Sequence, residues 1–393
     1  MGIDLHKETH TAVILNCWNQ ELGEITIANK PSDFAKLIRK VSRYETEEKK
    51  AVYGLENAYG YGRSLAVWLI EKGCIVKDVN PALSFAQRKS VPMYQKSDGY
   101  DAEAVALVLI NMLDRLPDAI PDDKYWTLSQ LVNRRDNICT HLRRLKNQLH
   151  EQLCMTYPSY KEFFSDVGRP TALYFFQAYP SPEYLRGKTA EALAEELRPI
   201  SHNNCSVKRA EKILRLVEAD GQTIRDHQDS RDIITRSIVS DLEHYRIQLE
   251  EVEQAIESLL PHFNCTLMTI PGINTITAAN MLSAIGDINC FPGADKLAKY
   301  AGVAPVNFSS AGKGRDVCPK QGNRRLQAIF YFLAIQMVQT SSKGVPRNRI
   351  LREYYLRKLA EGKSKPQALI CVSRRLVNIV YGMLKNHTEY RES

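Results

Sequence analysis

The N-terminal part of the chain alternates between short apolar runs and amphipathic stretches. Five apolar runs predict β-strands, at 1–4, 11–15, 25–27, 51–55 and 74–79. Three further stretches have helical character, at 32–43, 60–71 and 98–113. Three early antiparallel strands followed by strand–helix alternation predict a mixed sheet with helices on its faces, and therefore an α/β domain.

The middle of the chain carries two long heptad patterns. Their apolar positions are Leu131, Ile138, Leu142, Leu145 and Leu149, and then Ile238, Leu242, Tyr245, Leu249, Val252, Ile256 and Leu259. This spacing predicts two helices, at 122–154 and 229–260, that pair as an antiparallel coiled-coil arm. The segment between them is expected to be mainly helical, with breaks at Tyr157-Pro158 and Tyr179-Pro180. Such an arm is typical of structural or oligomeric contacts.

The last third of the chain combines a Pro-Gly turn with a glycine-rich stretch. Residues 267–287, around Pro271-Gly272, resemble a helix-hairpin-helix, which presents backbone N–H groups to phosphate oxygens. An ordinary helix–turn–helix packing unit fits the same residues equally well. The stretch 299–315 places Ser309 and Ser310 near Lys313 and Arg315. This stretch is interpreted either as a flexible loop or as the site of an exposed serine nucleophile with cationic neighbours. A helix is expected after it, at 326–339.

Length and composition indicate a folded protein of several domains. The 393 residues suggest two or three domains, and the patterns above place them at 1–116, 117–262 and 263–393. Hydrophobic residues make up 44% and charged residues 25%, which is ordinary for a globular protein. We expect no membrane span and no secretory signal. Nine cysteines without a Cys-x-x-Cys pair argue against zinc and are read as reduced thiols of a cytosolic protein.

The net charge of +8 is concentrated near the C-terminus. Between Lys343 and Arg375 the chain contains ten Lys and Arg residues but only two acidic residues, Glu353 and Glu361. Positive and negative charges are therefore equal in number in the rest of the chain. A basic region of this kind favours a polyanionic partner, above all a nucleic acid. The alternative is a solvated helix face without a specific partner.

Four carboxylates occupy positions where they could meet. Asp4 lies on the first strand, and Glu56 ends the fourth. Asp98 and Asp101 begin a helix three residues apart, and therefore on one face. A carboxylate at the end of a core strand is costly unless a positive charge meets it. Convergence of these oxygens would suit Mg²⁺, or Mn²⁺ in its place, and such ions can polarise a phosphodiester. Alternatively, the helix acids serve only as N-terminal caps.

Short motifs in a fixed order give the sequence a family resemblance. They are Gly2-Ile-Asp4-Leu-His-Lys, Glu56-Asn-Ala-Tyr-Gly, Lys96-Ser-Asp98-Gly-Tyr-Asp101-Ala, Ile270-Pro-Gly-Ile, Ala284-Ile-Gly-Asp-Ile, Tyr300-Ala-Gly-Val-Ala-Pro305, Ser310 and Gly322-Asn-Arg-Arg-Leu. Nearly the whole chain thus resembles transposases of the insertion-sequence "one-ten" family, relatives of the pilin-gene invertase Piv.

The resemblance implies a fold of class α/β plus α and a DNA recombinase. It implies a RuvC-like, ribonuclease H-like domain, a coiled coil and a helical C-terminal domain. Asp4, Glu56, Asp98 and Asp101 match the four metal-binding acids of the family. Ser310, with Ser309 beside it, matches the nucleophile that would form a 5′-phosphoserine link to DNA.

The resemblance also implies partners. They are donor and target DNA, a noncoding bridge RNA as guide, and further copies of the chain in a dimer or tetramer. Apart from the resemblance, the basic residues that we expect to bind nucleic acid are Lys313, Arg315, Lys320, Arg324, Arg325, Arg374 and Arg375. The expected location is the cytoplasm of a bacterium or archaeon, at the nucleoid. Because relatives have a longer first strand, residues before Met1 are also expected.

Two other functions remain open at the level of sequence. In a metal-dependent nuclease of the junction-resolvase type, water would be the nucleophile and the serine stretch would only bind. In a non-enzymatic nucleic-acid-binding protein, the acids would be helix caps and ion-pair partners. Asp4 argues against the second function, because a residue within a core strand caps nothing.

Overall fold

The computed structural model describes residues 1–47, 49–56, 58, 60–90, 97–119, 123–304, 306–310, 313–317 and 322–392. It divides into two compact units, residues 1–126 and 127–393. The separation of the arm from the C-terminal domain therefore stays a prediction. No helix in the described part of the chain is both long and apolar enough to cross a membrane.

The first unit is built on a five-stranded mixed sheet, which confirms the predicted α/β architecture. Its strands are β1 (Gly2–Leu5), β2 (Thr9–Leu15), β3 (Glu21–Ala28), β4 (Val52–Glu56) and β5 (Ile75–Val79). They lie in the order β3-β2-β1-β4-β5. The first three are antiparallel, whereas β4 and β5 run parallel to β1. As a result, the C-terminal ends of β1 and β4 lie at the same edge of the sheet.

Four helices flank this sheet: α1 (Pro31–Val41), α2 (Arg63–Glu71), α3 (Pro81–Lys89) and α4 (Asp98–Met112). Helices α1 and α2 share a core cluster with Ile3 and Leu55, while α4 packs with Val79 in another. Asn80 caps α3, which the apolar pattern did not predict, and Ser97 caps α4 by accepting a hydrogen bond from the Tyr100 N–H.

Two glycines bring α4 unusually close to the sheet. A Cβ atom on Gly2 would lie 2.2 Å from the Ala102 carbonyl oxygen and 2.2 Å from the Ala106 nitrogen. A Cβ atom on Gly54 would lie 2.5 Å from Leu109 Cδ1. Because side chains alternate between the faces of a strand, residues two positions further along β1 and β4 also face α4.

The second unit contains most of α5 (Asp123–Thr156), followed by α6 (Pro170–Ala178), α7 (Ala190–Leu197), α8 (Val207–Asp220) and α9 (Gln228–Leu259). Helices α5 and α9 contact each other in antiparallel order. Arg134 donates to Gln248 at 2.8 Å, and the His141 ring stacks on that of Tyr245 with 5.4 Å between centroids. Heptad packing of a coiled coil stays a prediction. Aromatic residues around the fully buried Tyr157 form the core of the helical insertion.

The C-terminal elements are α10 (Thr275–Ile285), α11 (Ala294–Tyr300), β6 (Val306–Ser310), β7 (Lys313–Val317), α12 (Arg324–Val338), α13 (Arg349–Ala360) and α14 (Lys365–Asn386). Single 3-10 turns lie at Leu113–Arg115, Tyr160–Glu162, Pro182–Leu185, Leu260–Phe263, Leu267–Thr269 and Ile288–Cys290. The turn at Pro271-Gly272 follows one such 3-10 turn, and the helix-hairpin-helix is not confirmed. Residues 306–317 contain an antiparallel strand pair where the glycines suggested a loop.

Candidate active site

The four predicted acids are gathered at one edge of the sheet, joined in pairs by the side chains of His6 and Arg88. His6 Nε2 lies 2.9 Å from Asp4 Oδ2 and 3.4 Å from Asp98 Oδ1. Arg88 Nη1 lies 3.5 Å from Glu56 Oε2 and 3.3 Å from Asp101 Oδ1. Each strand acid is thereby connected to one acid of α4.

The strand register explains why the acids meet. Gly2 and Gly54 face α4 and are paired with each other in the β1–β4 ladder. Asp4 and Glu56 each follow two residues later, so they point to the same face, beyond the point of closest helix approach. Helix α4 begins there with Asp98, since its cap is Ser97. The close packing that the glycines permit therefore brings the helix acids to the strand acids.

Burial controls the electrostatics of the cluster. Burial raises the pKa of Asp4, and the charge of His6 opposes this shift. Burial likewise raises the pKa of Glu56, against a hydrogen bond from Ser84 and the charge of Arg88. Both pKa values shift upward because the effect of burial outweighs that of the neighbouring positive charges.

Several carboxylate oxygens are buried without a hydrogen-bond donor among the described residues. They are Asp4 Oδ2, Glu56 Oε2 and Asp101 Oδ1, whose contacts with His6 and Arg88 are ion pairs that lack hydrogen-bond geometry. Buried polar atoms in proteins nearly always have a partner, so such atoms call for one. Ligand atoms of Asp4, His6 and Asp98 all lie within 4.8 Å of one another. This donor set fits a hard divalent cation.

Three residues near the acids were not singled out from the sequence. His6 stands two positions after Asp4, just past the end of β1, and that spacing was the available signal. Arg88 lies on α3, where the pattern gave no helix. Asp78 on β5 accepts a hydrogen bond from the Ala58 N–H at 3.0 Å, and burial raises the pKa of the Asp78 carboxyl.

The predicted nucleophile belongs to the strand pair β6–β7. Ser310 is paired with Lys313 and Ser309 with Gly314, while Arg315 is paired with Phe308. For these two strands the structure describes the backbone. Lys320, also predicted to bind nucleic acid, lies outside the described residues, as does Lys96 of the acidic motif. The roles of Ser310, Lys313 and Arg315 stay predictions.

The remaining predicted nucleic-acid contacts have partners within the second unit. Arg325 Nη2 lies 2.6 Å from Asp136 Oδ2, and Arg374 donates to the Ala294 carbonyl at 3.0 Å. Arg324 donates to Gln327 at 2.8 Å. The Arg375 guanidinium lies over the Tyr354 ring at 5.2 Å. No contact with nucleic acid follows from these interactions, and their predicted role stays open.

Two family models match the chain, and together they cover more than half of it. Residues 1–158 match the DEDD transposase model of IS110 type, described as a transposase. Residues 264–355 match a model described as transposase of the IS116/IS110/IS902 family. The chain belongs to the IS110 family of transposases. The first match contains all four acids, and the second contains β6–β7.

Relatives of this IS110-family chain support the assignment along its length. A 43.6 kDa protein of insertion element IS110 from Streptomyces coelicolor is 27% identical over 78% of this chain and 75% of its own. A 42 kDa protein of insertion element IS900 from Mycobacterium paratuberculosis is 24% identical over 99% and 96%. The pilin gene-inverting protein of Moraxella bovis is 26% identical over 42% and 52%.

Family membership decides the broad function. An IS110-family transposase is a DNA-recombining enzyme of an insertion sequence, and the DEDD family suggests use of a divalent metal. This argues against the non-enzymatic reading, in which the acids only cap helices. The donor set described above fits such a metal on independent, structural grounds.

Proposed function

We propose that this transposase cuts and rejoins DNA through a covalent link between Ser310 and a DNA 5′-phosphate. The observation that carries the proposal is the position of Ser310 within the matched transposase segment, at the last described pair of the β6–β7 ladder. The name of the Moraxella relative, a pilin gene-inverting protein, describes the inversion of a gene and so agrees with cutting and rejoining.

The reaction exchanges one phosphoester bond for another. The Ser310 hydroxyl loses its proton as Oγ attacks phosphorus, and the bond from phosphorus to the 3′ oxygen breaks. The departing 3′ oxygen takes up a proton and becomes a 3′-OH. Because the phosphoester is conserved as phosphoserine, attack by a different 3′-OH reverses the step and joins a new strand. A serine hydroxyl is a weak nucleophile and needs activation.

We propose that the acid cluster lowers the barrier to this attack from the side of the phosphodiester. When the transposase acts on DNA, Asp4, Glu56, Asp98 and Asp101, together with His6, would provide the ligands for divalent metal, Mg²⁺ or Mn²⁺ in its place. Metal held by these residues would withdraw negative charge from the phosphodiester. His6 and Arg88 hold the strand acids and the helix acids near one another beforehand. Acids and serine must act on the same phosphodiester, whether they come from one chain or from two subunits.

The covalent link is tested by trapping it. The purified protein is incubated with labelled donor and target DNA, guide RNA and Mg²⁺, and then denatured to reveal protein-bound DNA. Loss of the adduct in Ser310→Ala and its retention in Ser309→Ala would support the proposal. Adduct formation by the Ser310→Ala protein would overturn it. Ser309→Ala is a close control, since it removes the same atom one residue away.

A metal-dependent nuclease of the junction-resolvase type is the second candidate. It is favoured by the buried oxygens of the acid cluster that lack a hydrogen-bond donor among the described residues, since these oxygens need no serine to bind a cation. In that case water attacks the phosphodiester and no adduct forms. Asp98→Asn would then abolish cutting, whereas Ser310→Ala would still cut. The same assay therefore separates the two candidates.

We further propose that a noncoding bridge RNA guides the transposase to donor and target DNA. The family resemblance supports this, as do the ten basic residues between Lys343 and Arg375. Sequence read by RNA pairing needs no base-reading code in the protein. The test is to sequence RNA that copurifies with the chain from cells carrying its insertion sequence. Changing the RNA loop sequences should redirect the DNA sites, and unchanged sites would refute guidance.

Assembly into a dimer or tetramer is part of the same proposal. Two DNA sites must be held together while four strands are cut and rejoined, which favours several copies of one active site. Light scattering on the purified protein with and without DNA measures the mass directly. A monomer in both conditions would contradict this part of the proposal.

A further inference from the structure

The acid cluster consists of two halves with different exposure. In the half that contains His6, the side chains of His6 and Asp98 are 49% and 58% exposed. In the half that contains Arg88, the side chains of Arg88, Glu56 and Asp101 are 17%, 16% and 12% exposed. A cation arriving from solvent therefore meets the His6 half first. Asp4 is the buried member of that half: its side chain is 12% exposed and the whole residue 8%, and its Oδ2 lacks a hydrogen-bond donor among the described residues.

Arg88 is held in place by the fold. Its helix α3 packs against α4, and the Tyr100 hydroxyl donates to the Arg88 carbonyl oxygen at 3.1 Å. Tyr100 directly precedes Asp101, so the helix that provides the acid also anchors the backbone of the arginine. The backbone of Arg88 is thus held beside the turn that carries Asp101, and the Arg88 side chain is largely buried there.

The Arg88 guanidinium competes with a metal for the two carboxylates that it contacts. An arginine side chain only donates hydrogen bonds, so Arg88 cannot itself become a metal ligand. It also faces both carboxylates of its half, since one nitrogen, Nη1, lies within 3.5 Å of Glu56 and of Asp101. A divalent ion bound between these two carboxylates would be repelled by the adjacent positive charge of Arg88.

We propose that Arg88 fills the Glu56–Asp101 half of the cluster, so that the protein without nucleic acid binds a single divalent ion, on Asp4, His6 and Asp98. This inference rests on the proposed metal role of the acids. Arg88 takes the place that a second ion would need, and it keeps the free transposase from assembling a two-ion centre. Arg88 is a positioning residue here, because it acts through the carboxylates.

The inference is tested by counting bound Mn²⁺ in the full-length protein without DNA or RNA. Isothermal titration calorimetry gives the stoichiometry, and electron paramagnetic resonance distinguishes an isolated Mn²⁺ from a coupled pair. We expect one ion in the native protein and two in Arg88→Gln, the latter with the spectrum of a coupled pair. Arg88→Lys should keep one ion. Lys89→Gln, which removes a neighbouring exposed charge from the same helix, should also keep one.

Two ions in the native protein, or one ion in a folded Arg88→Gln protein, would overturn the inference. If Arg88→Gln does not fold, two single substitutions test which carboxylates bind the ion. Asp98→Asn should weaken Mn²⁺ binding at least tenfold, whereas Glu56→Gln should change it by less than threefold. Equal losses in both would overturn the inference. Absence of Mn²⁺ binding in the native protein would instead refute the proposed metal role itself.

Discussion

Arg325 and Asp136 form an ion pair in which Nη2 lies 2.6 Å from Oδ2, joining the start of α12 to the middle of α5. Arg325 also donates to Asn133 at 3.1 Å. On α5, Arg135 Nη1 lies 3.8 Å from Asp136 Oδ1, and Arg135 Nε lies 2.7 Å from Oε1 of Glu253 on α9. A chain of charges thus connects α12, which follows the strand pair bearing Ser310, to both long helices.

Breaking this connection should affect activity more than stability. The Arg325 and Asp136 side chains are 32% and 40% exposed, and exposed pairs contribute about 0–1 kcal/mol. We therefore expect Asp136→Asn to lower the free energy of unfolding by less than about 1 kcal/mol. Adduct formation should fall by about tenfold or more, because small misplacements of a reacting group are costly. Chemical unfolding and the adduct assay measure the two effects.

The matched control for that experiment is the pair of Lys212 and Glu162, 3.0 Å apart in the helical insertion. Lys212→Met removes a similar exposed pair that has no link to α12. Lys212→Met should lower the free energy of unfolding as little as Asp136→Asn does, and it should leave the rate of adduct formation unchanged. Equal activity in Asp136→Asn and native protein would show that the ion pair does not position the serine strands.

Substitutions of the strand glycines test whether the close approach of α4 to the sheet matters for stability and metal binding. Gly2→Ala places a Cβ atom against the backbone of Ala102 and Ala106, which cannot move aside without shifting the helix. We expect a loss of about 1–3 kcal/mol or more in the free energy of unfolding. Because the helix carries Asp98 and Asp101, Mn²⁺ affinity should fall as well. Calorimetry on the folded fraction separates this effect from unfolding.

Other glycines provide graded comparisons. Gly54→Ala meets the side chain of Leu109, which can turn, so its cost should be smaller than that of Gly2→Ala. Gly382→Ala, near the C-terminal end of α14, meets no atom within 4 Å and should stabilise the protein by about 0.5–1 kcal/mol. A Gly2→Ala protein with native stability and metal affinity would contradict the role assigned to close packing.

The sheet and its acids could be predicted because they depend on local periodicity. Alternation along β1 and β4 fixes which residues face α4, and the ends of parallel strands necessarily share an edge. Asp4 and Glu56 follow from those two facts, and Asp98 and Asp101 follow from the helix start that Ser97 caps.

The parts that escaped prediction depend on distant partners. Arg88 was missed because the one buried residue of α3 is Ser84, which leaves no apolar pattern to mark the helix. The ion pair between Arg325 and Asp136 was not predicted, because the two residues lie 189 positions apart in the sequence. The strands around Ser310 pair through their backbones, and glycine and serine carry no alternation that would reveal such a ladder.

The buried carboxyl of Asp78 should make stability depend on pH. Burial raises its pKa in the folded state, whereas the unfolded value is about 3.9. The folded protein therefore holds this proton more tightly, and the contribution to stability falls as pH rises from the unfolded value through the folded value. Asp78→Asn cannot ionise and can still accept the Ala58 hydrogen bond. At pH 7 the free energy of unfolding of Asp78→Asn should exceed that of the native protein, and this difference should disappear near pH 4.

Asp33 offers a control of opposite sign. A hydrogen bond from Lys36 lowers the pKa of the Asp33 carboxyl. Its stabilising contribution is therefore present above the unfolded pKa and is lost as pH falls through the folded value. Asp33→Asn should be less stable than the native protein at pH 7. Urea unfolding at several pH values measures both variants, and a gap of the same sign in both would contradict these assignments.

The cap of α4 links helix stability directly to the acid cluster. Ser97 Oγ accepts from the Tyr100 N–H at 3.2 Å, and the capped turn contains both Asp98 and Asp101. Ser97→Ala should cost about 1 kcal/mol, whereas Ser97→Asp should retain most of the stability because aspartate is an equally good cap. Since fraying of this turn moves the helix acids away from Asp4 and Glu56, Mn²⁺ affinity should fall in Ser97→Ala and recover in Ser97→Asp. Thermal unfolding and calorimetry report the two quantities. An alanine variant that loses stability but keeps its full metal affinity would mean that the ion does not depend on the first turn of α4, and therefore that Asp98 is not among its ligands.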